Sequence, residues 1–282
     1  MGWYKEVLDS CPVSARRIVF GPRRRPPTCP DPLRPQARTS LENAGAWIED
    51  DPNHIVPQFG DWIVETIRKS SEIQAQSRGT RSLVTERWTI QKFLQHSPSE
   101  FANLLSTFTQ VADHYFGQRS LPVGATLMLS SPRPPSPNTA EELHFDGQIR
   151  RVGGAKGCLK VFVAAHEINV ENGPLSFLDA QKSKRISQNY RYKKSRSKKR
   201  VTDAEAEHVL GAPLESTASK WIAPKGGLLW LDTDRCLHFG SRRVEKPRYL
   251  IQFEFTRPEG LDAILDRRRI RQDRSAIDRI PT

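Results

Sequence analysis

The sequence predicts a mainly β chain with flanking helices, an α+β arrangement in which a sandwich or barrel packs on an N-terminal helical layer. Three observations lead there. Helical periodicity is strongest before residue 120. From about residue 124 the chain breaks into short apolar or alternating runs. The breaks between those runs are rich in proline, glycine and asparagine. At 282 residues the chain is long enough to bury a substantial core.

Residues 1–40 read as a basic, Pro/Arg-rich arm, since Gly21–Pro35 carries too many prolines for a helix or an interior strand. Residues 59–76 follow a helical pattern through Trp62, Ile63, Ile67 and Ile73. A second helix is expected over 98–117, where Phe101, Leu104, Leu105, Phe108, Val111, Ala112 and Tyr115 recur at three- and four-residue spacing. Ser97 and Glu100 are placed to form its capping box. Strands are expected at 125–129, 158–165, 174–178, 227–231 and 248–255, and a closing helix at 261–270.

The formal net charge of +12 is unevenly distributed. Residues 180–202 hold ten Lys and Arg and no acid, and residues 11–40 carry +6, so the rest of the chain stands at −4. Its basicity therefore sits in two appendages. No apolar run is long enough to span a bilayer, and Met1–Glu6 lacks the apolar core of a signal peptide. The four cysteines (Cys11, Cys29, Cys158 and Cys236) show no CxxC pairing, so no zinc site or disulfide framework is indicated. A cytoplasmic location is the expectation.

Two segments carry the chemistry: Leu143-His144-Phe145-Asp146-Gly147 and Cys236-Leu237-His238-Phe239-Gly240-Ser241. Two imidazoles and one carboxylate can hold one face of an octahedral Fe(II) and leave the other open. In a small jelly-roll barrel, the first pair on one strand and the third ligand on a later strand can converge. A 2-oxo acid could chelate through two of the open positions, with dioxygen at the last. The distal carboxylate of that acid then calls for a fixed cation, and Arg248 heads an alternating strand ten residues after His238. That strand places Tyr249, Ile251, Phe253 and Phe255 on one face and Arg248, Leu250, Gln252 and Glu254 on the other. If the aromatic face packs on the helical layer, Arg248 lines the interior. Arg242 and Arg243 are competing anchors. Lys160 and Ser241 are further candidates for contact with the co-substrate, with solvent or turn roles as the alternative. His54, His96, His114, His166 and His208 have no ligand-like company and read as structural or surface residues.

Residues 124–256 resemble the phytanoyl-CoA dioxygenase family of Fe(II)/2-oxoglutarate-dependent oxygenases. The resemblance rests on His144-Phe-Asp146, Leu159-Lys-Val-Phe-Val, Glu171-Asn172-Gly173-Pro174-Leu175, Gly227-Leu-Leu-Trp-Leu-Asp232, His238 and Arg248. It departs at Leu178–Lys184, where family members show a "PGSHK"-like stretch. The resemblance implies a double-stranded β-helix (jelly-roll, cupin-like), with His144, Asp146 and His238 as iron ligands and Arg248 as the 2-oxoglutarate anchor. It implies an aliphatic hydroxylase that uses O2 and releases succinate and CO2. Asp146 stands where iron halogenases of this chemistry usually have Ala or Gly, which favours hydroxylation over halogenation.

On this reading residues 41–282 form one catalytic domain, with a basic lid-like insertion near 180–202. The expected partner is a small organic molecule, with a CoA-type or other anionic carrier group one option for the basic segment. No membrane partner is expected. Nucleic acid bound through residues 180–202 is the minority reading, and a catalytically inactive cupin-like binding protein is the other alternative.

Overall fold

The computed structural model describes residues 35–49, 59–78, 83–98, 100–118, 120–132, 143–146, 157–189, 200–240 and 245–257. Its helices are α1 (Pro35–Ala44), α2 (Gly60–Arg78), α3 (Ile90–His96), α4 (Glu100–Phe116), α5 (Ala180–Asn189), α6 (Asp203–Leu210) and α7 (Leu214–Thr217). Its strands are β1 (Ala46–Glu49), β2 (Leu83–Trp88), β3 (Leu121–Ser130), β4 (Leu143–His144), β5 (Cys158–Ala164), β6 (Ser176–Phe177), β7 (Arg200–Val201), β8 (Ser219–Lys220), β9 (Leu228–Asp232), β10 (His238–Phe239) and β11 (Arg248–Thr256).

Two sheets form, both built from antiparallel pairs. The six-stranded sheet runs β1-β9-β5-β11-β3-β2 and the five-stranded sheet β7-β4-β10-β6-β8. From β3 to β6 the chain alternates between the sheets, and from β8 to β11 it alternates back. This connectivity is consistent with a jelly roll.

Side-chain alternation along the strands produces three apolar layers. Leu127, Val161, Trp230, Ile251, Phe253 and Phe255 leave one face of the large sheet and meet Leu41, Ile63, Phe93, Phe101 and Phe108 of the helices. Phe253 stacks edge-on against Phe93 at 5.0 Å between centroids and leans on Phe108 at 5.7 Å. The aromatic face of β11 therefore packs on the helical layer, which turns Arg248 and Leu250 toward the second sheet. Phe162, Leu229, Leu231, Leu250, Phe177 and Trp221 fill the space between the sheets. Outside the small sheet, Leu143, Leu237 and Phe239 are covered by Ile186, Ala206 and Leu214 of α5 to α7. With both its faces covered, β5 is buried throughout, which is why Cys158–Ala164 reads as an almost unbroken apolar run.

Several local expectations shift. Helix α1 begins at Pro35, within the stretch read as an arm. Ser97 terminates α3, its backbone N–H bonding Phe93 O, and its hydroxyl has no partner among the described residues, in place of the expected capping box at the start of α4. Strands β1 and β2 extend the large sheet at its two edges. The closing helix expected at 261–270, the first 34 residues and the basic run at 190–199 lie outside the described residues. No helix among the described residues is long and apolar enough to cross a membrane. Cys158 and Cys236 are buried free thiols.

Candidate metal centre

The site begins with strand register. His144 on β4 lies directly opposite His238 on β10, and His238 also faces Phe177 of β6. Leu143 and Phe239 point to the outer apolar layer. Alternation therefore turns both imidazoles into the space between the sheets. Their ring centroids are 4.5 Å apart, with planes inclined by 45°. Asp146 follows two residues after His144, and Asp146 N–H bonds Thr233 O at 3.1 Å, tying this strand end to the turn after β9.

The three side chains converge. His238 Nε2 lies 3.2 Å from Asp146 Oδ2, and His144 Nε2 lies 3.7 Å from Asp146 Oδ1. One ligand atom from each can be chosen so that all lie within 4.8 Å of one another. Neighbouring corners of an octahedron with bonds of about 2.1 Å are about 3 Å apart, so these donors fit a single divalent ion. The tautomer of His238 fits as well. Its Nδ1 donates to Cys236 O at 3.1 Å, which leaves the Nε2 lone pair for a metal.

Burial by itself would raise the Asp146 carboxyl. The Lys160 ammonium and, after it, the two imidazoles outweigh burial and hold the group well below the usual carboxylate range. Lys160 Nζ donates to Asp146 Oδ2 at 2.6 Å. Two further acids border the site. Glu254 is opposite Lys160 in the β11–β5 register. Asp234, in the turn after β9, is pushed up to about 7 by burial first, then by Asp232, Asp146 and Glu254.

Arg248 heads β11 and is 3% exposed. It donates through Nη1 to Gly173 O at 2.6 Å and through Nη2 to Ser130 Oγ at 3.1 Å, while its buried Nε has no partner among the described residues. Burial alone lowers its pKa from 12.5 to about 10, and no carboxylate pairs with it among the described residues. The turn quoted above as Glu171-Asn172-Gly173-Pro174 builds this niche. Asn169 caps a short 3-10 helix, Val170–Asn172, and Gly173 closes it at φ 65°, a left-handed conformation that suits glycine. Asn172 Nδ2 bonds Pro247 O at 3.0 Å, which fixes the turn against the residue before Arg248.

The structure thus brings His144, Asp146, His238 and Lys160 together and turns Arg248 inward from β11. Ser241, Arg242 and Arg243 lie outside the described residues. His166 accepts the Tyr249 N–H at 3.0 Å and holds the head of β11, a structural role.

Sequence reading missed the support under His238. Asp232 Oδ1 accepts the N–H groups of Asp234 and Arg235, at 3.0 and 3.1 Å. Asp232 Oδ2 accepts a short hydrogen bond from the Tyr115 hydroxyl. Arg235 bonds that hydroxyl at 3.1 Å and Glu42 O at 2.9 Å. The Asp-x-Asp turn was a readable signal, because Asp favours such self-capping. Tyr115 was counted only as an apolar member of α4.

No family model matches the sequence, and no curated protein matches it. Solved structures do match. The chain is similar to EctD from S. alaskensis with bound Fe, at 15% identity and a TM-score of 0.53 over 81% of this chain and 78% of that one. It is similar to HygX from Streptomyces hygroscopicus with nickel and 2-oxoglutarate bound, at 16% identity and a TM-score of 0.50 over 80% and 88%. A third similar structure is SnoK, a non-heme alpha ketoglutarate dependent carbocyclase from nogalamycin biosynthesis, at 12% identity and 0.52 over 80% and 84%. At these identities the likeness is one of fold.

Proposed function

We propose that this chain is an Fe(II)/2-oxoglutarate-dependent oxygenase on a jelly-roll barrel, with phytanoyl-CoA dioxygenase-like character, that hydroxylates an aliphatic C–H of a small organic substrate. His144, Asp146 and His238 would hold Fe(II), and Arg248 would anchor 2-oxoglutarate. The catalytic domain would span 41–282, with the 1–40 arm and the insertion near 180–202 as its appendages. When bound, Fe(II) with 2-oxoglutarate and O2 supplies an oxidant strong enough for an unactivated C–H, leaving succinate and CO2.

The observation that carries this reading is a buried guanidinium with no counter-ion among the described residues, on the inward face of the same two-sheet core that holds a two-histidine, one-carboxylate cluster. A buried cation without an anion is costly, and a dicarboxylate that also chelates the metal would neutralise it. The neighbours support the choice of co-substrate, since HygX is described with 2-oxoglutarate bound and EctD with Fe. SnoK is named a carbocyclase, so the same fold hosts outcomes other than hydroxylation. Asp146 fills the coordination position that halogenation would need open.

Each chain residue has a defined task. The Nδ1–H bond to Cys236 O keeps the His238 tautomer that can ligate. Phe162, Leu229, Leu231 and Trp221 keep water from the interior. Glu254 beside the site adds negative charge, and Asp234, raised to about 7, adds only part of one, so the site itself gives no reason to favour a CoA-type anion. Any such group would depend on the basic run at 190–199.

The test is succinate formation from 2-oxoglutarate with Fe(II) and O2, with a slow uncoupled rate expected even without substrate. It should vanish in Asp146→Ala. Iron binding with no such turnover would favour a binding protein that keeps the fold without the chemistry.

A further inference from the structure

Lys160 interrupts an otherwise apolar strand, and its position is unusual for a lysine. It is 7% exposed and lies on the inward face of β5, between Leu231 of β9 and Glu254 of β11 in register. A buried ammonium is costly unless paired. Its hydrogen bond goes to Asp146 Oδ2, at 2.6 Å, rather than to Glu254 across the strand pair. Asp146 is therefore held at two points, since its N–H is bound by Thr233 O at 3.1 Å. Both oxygens face a histidine: Oδ1 lies 3.7 Å from His144 Nε2, and Oδ2, the oxygen Lys160 holds, lies 3.2 Å from His238 Nε2.

We propose that Lys160 is the positioning residue of Asp146, its ammonium competing with a metal ion for Oδ2, the oxygen nearer His238, so that the ion takes the carboxylate through Oδ1. This rests on the metal reading above and assigns Lys160 to the ligand instead of the co-substrate. It has two consequences. A carboxylate confined to one oxygen occupies one coordination position and leaves the opposite face open for other ligands. A fixed positive charge close to the metal also lowers its affinity, because like charges at such range repel strongly in a poorly screened site. Lysine is suited to this as a compact point charge, and Glu254 on its far side balances it.

The experiment is titration of the metal-free protein with Co(II), followed by the cobalt d–d absorption, in wild type and in Lys160→Met, Lys160→Gln and Lys160→Arg. Co(II) needs no 2-oxoglutarate, so this readout is independent of turnover. Removing the charge should tighten Co(II) binding by about tenfold or more in both Met and Gln variants. It should also change the band intensity as the second oxygen becomes free to coordinate. Arginine, which keeps the charge and a donor, should hold the wild-type spectrum and an affinity within about threefold. Two neutral variants guard against one that fails to fold. Unchanged or weaker Co(II) binding in a folded neutral variant, with an unchanged spectrum, overturns the proposal. If 2-oxoglutarate binding to the cobalt-loaded protein is then the property lost, Lys160 is a co-substrate contact. A wild type that binds no Co(II) overturns the metal reading, and this proposal with it.

Discussion

Replacing Arg248 by methionine separates a structural arginine from an anchor that waits for an anion. Burial holds this guanidinium at about 10 instead of 12.5, a charge-burial cost of about 3 kcal/mol at about 1.4 kcal/mol per unit. Its bonds to Gly173 O and Ser130 Oγ return roughly 1.5–3 kcal/mol each. The two effects nearly cancel, and methionine fills similar volume without a charge. Arg248→Met should therefore change the unfolding free energy of the ligand-free protein by no more than about 2 kcal/mol. Ligand binding should respond very differently. Removing one partner of a buried charged pair costs about 3–5 kcal/mol, which weakens 2-oxoglutarate roughly 10²- to 10³-fold or more. Calorimetric titration of the nickel-loaded protein with 2-oxoglutarate measures the second quantity, and urea unfolding measures the first. A Kd within threefold of wild type would refute the anchor. A variant that lost more than about 4 kcal/mol of stability would show that the niche exists for folding.

The other predictions concern the groups around the ligands. Asp146→Ala should abolish metal binding and also strand the Lys160 ammonium, destabilising the fold by about 3–5 kcal/mol; adding Lys160→Met should restore most of that loss in urea unfolding. Tyr115→Phe leaves the buried Asp232 carboxylate without its hydroxyl donor and should cost about 2 kcal/mol of unfolding free energy, with no change meaning that the network is idle. Asp234 gives a pH dependence in the metal-free protein. Its pKa is raised from 3.8 to about 7, so the folded state holds a proton that the unfolded chain releases, and stability falls as pH rises from about 4 to about 7. Asp234→Asn should remove that slope and be the more stable protein at pH 8, by about 2 kcal/mol after allowance for partial exposure. Parallel unfolding curves of the two proteins across this window would count against the assignment.

What the sequence made legible depended on element length and chemistry. Strand β11 was readable because nine residues alternate an aromatic face with a mixed one, and the helical layer does take the aromatic face. Helices α2 and α4 were readable for the same kind of reason. Most of the small sheet was not, since each of its strands spans two residues and has no period to detect; only β6 falls within an expected run, 174–178. The His144, Asp146 and His238 side chains that this sheet brings together were nevertheless singled out, because His-x-Asp and a later His are chemical signals that need no strand around them. The edge strands β1 and β2 carry Trp-Ile-Glu and Thr-Glu-Arg-Trp, short mixed compositions without a clean alternation. The Glu171–Pro174 turn was noted for its resemblance, yet its purpose, offering Gly173 O to Arg248, depends on contacts 75 residues apart. Lys160 was noted as a candidate co-substrate contact, and its link to Asp146 needed the two sheets to face each other.

Anaerobic titration of the metal-free protein with Fe(II) and then 2-oxoglutarate, followed through the weak visible charge-transfer band of the chelate, is the decisive measurement for the proposed oxygenase. A band that saturates with 2-oxoglutarate is expected in the wild type, and its loss in His144→Ala. No band in a folded wild type, with both Fe(II) and 2-oxoglutarate in excess, would contradict the proposal.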